Sequence, residues 1–164
     1  MTGHPSTIGW REWIALPGLS IPRIKAKVDT GARSSSLHAF DVEIVRVHGR
    51  SRVRFKVAPS QKDAGKTARC DAPLHDMRWV KSSNGTRELR PVIRTPVVLG
   101  GERFVIDVTL TSRELMGFRM LLGREAVRRR FVIDPGRSYL SKRPKKPTRR
   151  TRRRANLEDR NSVP

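Results

Sequence analysis

One carboxylate in this sequence stands where a strand runs directly into a glycine turn. The segment Ile24-Lys-Ala-Lys-Val28 alternates apolar with basic residues, the period of a half-buried strand, and Asp29-Thr30-Gly31 follows it at once. Glycine lets the backbone approach such a carboxylate closely. Two carboxylates about 3 Å apart cannot both ionise, and a pair that shares one proton can activate water. Taken alone, the tripeptide also fits an ordinary Asx-type turn.

A second motif lies about ninety residues later, where the apolar run Met120-Leu-Leu ends in Gly123-Arg124 before a predicted short helix. With the Asp29 loop, this order of motifs resembles the retropepsins, in which the later segment packs against the active-site loop. A longer set of segments resembles a narrower family, the bacterial and archaeal RimB-like proteins, which carry the label ATP-dependent zinc protease and include members linked to the ribosomal-protein-modifying glutamate ligase. The segments are 8–13, 24–33, 37–39, 90–96 and 116–124, and the resemblance spans roughly residues 8–135.

The resemblance implies an all-β fold: a retropepsin-like closed barrel of a single lobe, with one short helix near its C-terminal end. It also implies an aspartic endopeptidase. The sequence contains one Asp-Thr-Gly, so a catalytic pair requires a homodimer in which Asp29 meets its copy. The expected catalytic residues are Asp29, Thr30 and Gly31, and the residues expected to support the loop are Ala32, Arg33, Leu122, Gly123 and Arg124.

Residues 79–95 predict a hairpin with Ser83-Asn84-Gly85 at its tip. Asn-Gly favours a tight hairpin turn because both residues tolerate a positive φ. Asn84 and Gly85 are therefore candidates for a flap that closes over a peptide substrate. A plain surface hairpin is the alternative interpretation.

The residue after Asp-Thr-Gly-Ala departs from the retropepsin pattern. Many viral retropepsins place an acid there, which pairs with the arginine of the later Gly-Arg. Here the position holds Arg33, so that ion pair cannot form. We expect Arg33 to pair with Glu125 instead, which reverses the polarity of the contact.

The rest of the chain is organised as hairpins around one domain. We predict an N-terminal extension over residues 1–7, the retropepsin-like domain over 8–140 and a basic, disordered tail over 141–164. Further strands are predicted at 9–16, 42–47, 53–57, 97–99, 104–110 and 131–133, with a polar loop over 58–76 and a short helix from Arg124 to about Arg129.

The formal net charge of +21 predicts contact with polyanions. Residues 141–164 contain ten Lys or Arg and two acids, but the rest of the chain is basic as well. We expect RNA, the ribosome or another polyanion to bind through residues 142–154. A non-catalytic adaptor, which binds ribosomes, RNA or a ligase partner through this charge, is the alternative to the peptidase.

No cofactor is predicted. The segment 60–67 imitates the end of a phosphate-binding loop, but serine replaces its first glycine and Pro73 interrupts the helix that ATP binding would need. Cys70, Asp71, His75 and Asp76 cluster in sequence, yet one cysteine and one histidine are weak support for zinc. The single cysteine, the absence of a signal peptide and the absence of a membrane span predict a cytoplasmic protein with no membrane partner.

Overall fold

Alternating apolar and polar residues produce strands along most of the described part of the chain. The computed structural model describes residues 3–60, 62, 65–82, 84–112 and 117–145. The strands are β1 (Ser6–Gly9), β2 (Arg11–Leu16), β3 (Ile21–Asp29), β4 (Ser35–His38), β5 (Phe40–Val47), β6 (Arg50–Val57), β7 (Ala68–Pro73), β8 (Asp76–Lys81), β9 (Arg87–Leu99), β10 (Glu102–Thr111), β11 (Met120–Gly123) and β12 (Phe131–Asp134). A 3-10 turn (Pro17–Leu19) joins β2 to β3, and one α-helical turn, α1 (Arg124–Val127), follows β11.

Six strands form a ring in the order β10-β4-β11-β3-β2-β9, and β9 pairs back with β10. The hydrogen-bonded pairing between β2 and β9 is a single residue pair, Ala15 with Val98, so the ladder around the ring is weakest there. β8 extends the sheet beyond β9. The all-β class with one short helix is therefore confirmed.

The inward-facing residues of the ring form the hydrophobic core. On β2, the side chains of Ile14 and Leu16 point inward, and on β3 those of Ile24 and Ala26 do the same. A separate three-stranded sheet, β5-β6-β7, adds the inward face of β6 to the same core. The inward residues of β6 are Val53, Phe55 and Val57.

Strand β7 lies inside the segment that the sequence predicted to be a polar loop, so that prediction was wrong for residues 68–73. The strand is stabilised by its antiparallel ladder with β6, in which Cys70 opposes Phe55 and Ala72 opposes Val53. Its sequence, Ala-Arg-Cys-Asp-Ala-Pro, buries small residues alternately with exposed polar ones. Small side chains give little local strand signal, and tertiary pairing decides the conformation.

The chain after β12 runs along β2 as an extended strap, residues 137–145, in which Arg137 O accepts a hydrogen bond from Trp10 N (2.9 Å) and Tyr139 N donates to Arg11 O (2.9 Å). Gly9 lies against the backbone of Arg137, which leaves no room for a Cβ. Glu12, on β2, is completely buried and accepts hydrogen bonds from Leu140 N (2.8 Å) and Ser141 N (3.1 Å). Hydrogen bonds to Glu12 thus hold the strap against β2 as far as Ser141.

The predicted disordered tail falls mainly on residues 146–164, which lie outside the described residues. Within the described part of the chain, no helix is long and apolar enough to span a membrane.

Candidate active site

Asp29 is the last residue of β3, and the turn that follows bends back onto its carboxylate. Asp29 Oδ1 accepts hydrogen bonds from Gly31 N (3.1 Å) and Ala32 N (3.2 Å). Oδ2 accepts none from the described residues. Gly31 does not take a positive φ. A Cβ at this position would lie 3.3 Å from Asp29 Oδ1, so the glycine lets the backbone approach the carboxylate closely. One carboxylate oxygen is therefore fixed by the backbone and the other is free for chemistry.

β11 runs between β3 and β4 and anchors the loop from the opposite side. It pairs in parallel with β3, with Gly123 beside Asp29, and antiparallel with β4. Gly123 N donates to Ser35 Oγ (3.1 Å), and a Cβ on Gly123 would overlap the carbonyl group of Ser34. The two distant motifs of the sequence thus meet in one tightly packed unit.

The residues after Gly123 complete the contact with the loop. Arg124 N donates to Ala32 O (2.7 Å), and Arg124 Nη1 donates to Thr30 O (2.9 Å). The ion pair expected between Arg33 and Glu125 is present, with Nε and Oε1 3.6 Å apart. The Arg33 side chain is 79% exposed, so solvent screens this pair and its contribution is small.

A cavity of about 420 Å³ lies beside this loop. Ser34 and Ser35 line it from one side, and Arg78, Arg94 and Asp107 line it from the β8–β10 side. Arg78 Nη1 donates to Ser34 Oγ (3.2 Å), which ties the base of the β8–β9 hairpin to the loop. Arg33 and Ser34 are thus common to the loop and the cavity, whereas Asp29, Thr30 and Gly31 do not line it.

The β8–β9 hairpin carries the candidate flap residues at its tip. Gly85 takes φ of +82°, as the Asn-Gly turn signal requires. Asn84 Oδ1 accepts a hydrogen bond from Thr86 N (3.2 Å). One face of the hairpin exposes Trp79 and Leu89, which are direct cross-strand partners.

The amino-acid sequence of the chain matches a known family over most of its length. Residues 7–144 match the model of the RimB-like family, described as the retropepsin-like aspartic endopeptidase RimB. The chain belongs to the RimB-like family. This confirms the family that the sequence resembled, but not the label of an ATP-dependent zinc protease.

Individual relatives agree with this assignment. A protein of Shewanella pealeana named probable alpha-L-glutamate ligase is 42% identical over 139 residues, which are 85% of this chain and 30% of that protein. A protein of the same name from Desulfotalea psychrophila is 47% identical over 128 residues, 78% of this chain and 28% of that protein. The RimB-like chain thus spans less than a third of these curated relatives.

A solved structure shares the fold. A crystal structure of a Legionella pneumophila protein of unknown function superposes with a TM-score of 0.69 and 26% identity, covering 85% of this chain and all of that one.

An ion pair between β9 and β10 lies in the wall of the cavity of this RimB-like domain. Arg94 Nε lies 2.9 Å from Asp107 Oδ1, and this hydrogen bond lowers the pKa of Asp107 despite partial burial. Arg78 Nη2 lies 3.8 Å from the other oxygen of Asp107. With Arg33 and Glu125 also lining it, the cavity holds three guanidinium groups and two carboxylates.

The residues that could have ligated zinc do not fit a metal site. Burial raises the pKa of Cys70 to about 11, which disfavours the thiolate that zinc requires. Asp71 points to the opposite face of β7 and is held by Arg52 (2.6 Å) and Arg54 (3.1 Å). Across the residues that the structure describes, no group of three potential ligands comes together.

Four residues of the site were not singled out from the sequence. They are Ser35, Arg78, Arg94 and Asp107. Ser35 lies in a visible serine run, but its role depends on β11 inserting beside β4. The other three lie on different strands, and pairing of those strands is what brings them together.

Proposed function

We propose that this chain is one half of an aspartic endopeptidase, a homodimer in which each copy contributes Asp29. The observation that carries the proposal is the state of the carboxylate. Two backbone N–H groups hold Oδ1, while Oδ2 accepts no hydrogen bond from the described residues. Membership of the RimB-like family supports the same reaction.

In the proposed dimer, the two Asp29 carboxylates share one proton around a water molecule. One carboxylate takes a proton from the water as its oxygen attacks the peptide carbonyl carbon, and the other donates its proton to the carbonyl oxygen. Collapse of the tetrahedral intermediate then breaks the C–N bond as the leaving nitrogen is protonated. Neither Asp29 alone supplies both functions, so the mechanism needs both chains.

Exposure of the loop supports the dimer. Thr30 and Gly31 are exposed in the single chain, where they are available to pack against the same loop of a second copy. The Thr30 carbonyl is occupied by Arg124, which leaves its hydroxyl to brace the partner loop. The hairpin tip at Asn84 and Gly85 would cover the bound peptide as a flap.

The test compares the parent protein with Asp29→Asn on a mixed peptide library between pH 4 and 8, with cleavage read by mass spectrometry. Asp41→Asn is the matched control, because Asp41 pairs with Lys56 (2.8 Å) on the other sheet. We expect the parent and Asp41→Asn to cleave and Asp29→Asn to lose activity by about a thousandfold or more. Cleavage that persists in Asp29→Asn, or none from a parent sample shown to be dimeric, would contradict the proposal.

We extend the proposal to the substrate, which we infer to be a peptide segment rich in glutamate. The cavity beside the loop carries more guanidinium groups than carboxylates, and the curated relatives are named for a ligase that handles glutamate. We expect Arg94→Gln to lower kcat/KM for a glutamate-rich peptide by about tenfold and for a neutral peptide by less than about threefold. Equal losses on both peptides would show that Arg94 does not select acidic substrates.

A further inference from the structure

A second surface, the outward side of the β2–β3 hairpin, concentrates positive charge. Arg11 and Trp13 on β2 stand on this side with Lys25 on β3, because Trp13 and Lys25 are direct cross-strand partners. The strap adds Arg143, whose guanidinium lies 4.5 Å from the Trp13 ring. Arg11, Arg23, Lys25 and Arg143 are called the basic face below.

Each strand of the hairpin carries one carboxylate, and only Asp29, at the end of β3 beyond Lys25, shares the outward side with the basic face. Glu12 is the one acid of β2, and it is fully buried on the opposite side of the strand. Within the described residues, none of the four cations forms an ion pair with a carboxylate. Arginines on other strands differ, since Arg52 and Arg54 share Asp71 and Arg94 pairs with Asp107. In the described part of the chain, no ion pair therefore compensates the charge of these four cations.

Aromatic rings hold these cations in place. Lys25 Nζ lies 5.2 Å from the Trp13 ring, and the Arg11 guanidinium lies 4.6 Å from Trp10 and 5.1 Å from Tyr139. Arg23 Nε donates to Pro144 O (2.7 Å), which fixes the strap. Cations already ordered lose little conformational entropy when an anion binds.

We propose that the basic face binds a single strand of nucleic acid along its phosphate backbone. Residues two apart on a strand are separated by about 7 Å, so Arg23 and Lys25 form a regular row of donors rather than one pocket. Guanidinium and ammonium groups in such a row match a chain of phosphates. The sequence beyond Lys145 continues this charge with seven further Lys or Arg among residues 146–164.

The composition of the face favours nucleic acid over a membrane surface. Binding in a membrane interface requires apolar side chains that enter the lipid. The large hydrophobic side chains exposed in the described residues all lie elsewhere, on β5, β8, β9, β10 and β12. The face therefore offers charge and hydrogen-bond donors, and its one large apolar ring, the half-buried Trp13, is covered by Lys25 and Arg143.

The experiment measures binding of the full chain to a fluorescent 20-nucleotide oligouridylate across a salt series. The test variant is Lys25→Gln with Arg143→Gln. The control is Arg50→Gln with Arg103→Gln, which removes the same charge from exposed positions on β6 and β10. We expect the test variant to bind on the order of tenfold more weakly, with the slope of log affinity against log salt reduced by about 1.4. The control should change affinity by less than about threefold.

Equal weakening in both variants would mean that total charge is responsible, and unchanged affinity in the test variant would mean that the face is not used; either result overturns the proposal. Thermal unfolding of both variants verifies that they are folded. An oligoglutamate peptide of equal charge is the competing probe. If it binds as tightly as the oligouridylate and with the same loss in the test variant, the face recognises acidic protein and the nucleic-acid assignment fails.

Discussion

Gly123 shows how the candidate active site is held together at the scale of single residues. Its N–H is bonded to Ser35 Oγ, and its Cα faces the carbonyl group of Ser34 with no space for a side chain. Arg124 then fixes the Asp29 loop through the carbonyls of Thr30 and Ala32. Hydrogen bonds to main-chain carbonyls thus position the loop, and none of them requires an acid at the position of Arg33.

We predict that Gly123→Ala destabilises the protein by about 2–3 kcal/mol, because the methyl group overpacks against backbone that cannot move freely. Denaturant unfolding measures the effect. Gly136→Ala is the control, since a Cβ there would meet Asp134 Oδ1 at an ordinary 3.4 Å. Similar stability of the two variants would show that the contact between β11 and the Ser34 backbone is looser than described.

At the scale of elements, one buried carboxylate links the strap to β1 and β2, in addition to the bond from Arg23 to Pro144 O and the backbone bonds between the strap and β2. Glu12 Oε1 accepts from Gly9 N, Leu140 N and Ser141 N, and Oε2 accepts from Ser141 Oγ (2.8 Å). These donors come from the end of β1 and from the strap on the far side of β2. A single side chain therefore joins both terminal regions to the barrel.

We predict that Glu12→Gln lowers the free energy of unfolding by about 1–3 kcal/mol, since an amide accepts the same bonds more weakly and turns a donor toward Ser141. Trypsin should also cut earlier after Arg137 and Lys142 on the released strap. Glu102→Gln, an exposed substitution on β10, is the control. An unchanged cleavage rate in the strap would argue that other contacts hold it.

At the scale of the whole molecule, the chain contains one half of the proposed catalytic pair. Each copy holds its own Asp29 loop through β11 and α1, so dimerisation would join two preformed halves. In the proposed dimer, the exposed Thr30 and Gly31 would form the contact between them.

We predict that the Asp29→Asn variant, when mixed with the parent protein, lowers the activity of the parent chains. If subunits exchange, an equal mixture should show about half the activity per parent chain, because half of those chains then face an inactive partner. Activity should also fall faster than linearly on dilution. Strictly proportional activity in both experiments would indicate that a single chain is sufficient.

Local patterns in the sequence predicted most of the strands and the two motifs of the site. Alternation identified β3, β6 and β10, and the Asn-Gly turn identified the β8–β9 hairpin. β7 was missed because its small residues have weak strand preference. Arg78, Arg94 and Asp107 were missed because strands far apart in sequence supply them.

By itself, the sequence determined the all-β class, the family and the strand-to-loop junction at Asp29, because these depend on periodicity and on motifs within short segments. Tertiary structure alone decided the insertion of β11 between β3 and β4, the arginine-lined cavity and the attachment of the strap to Glu12. Each of these depends on which backbone groups and side chains meet across the fold. These tertiary contacts form because the whole chain buries its apolar surface together, and a local sequence pattern does not encode them.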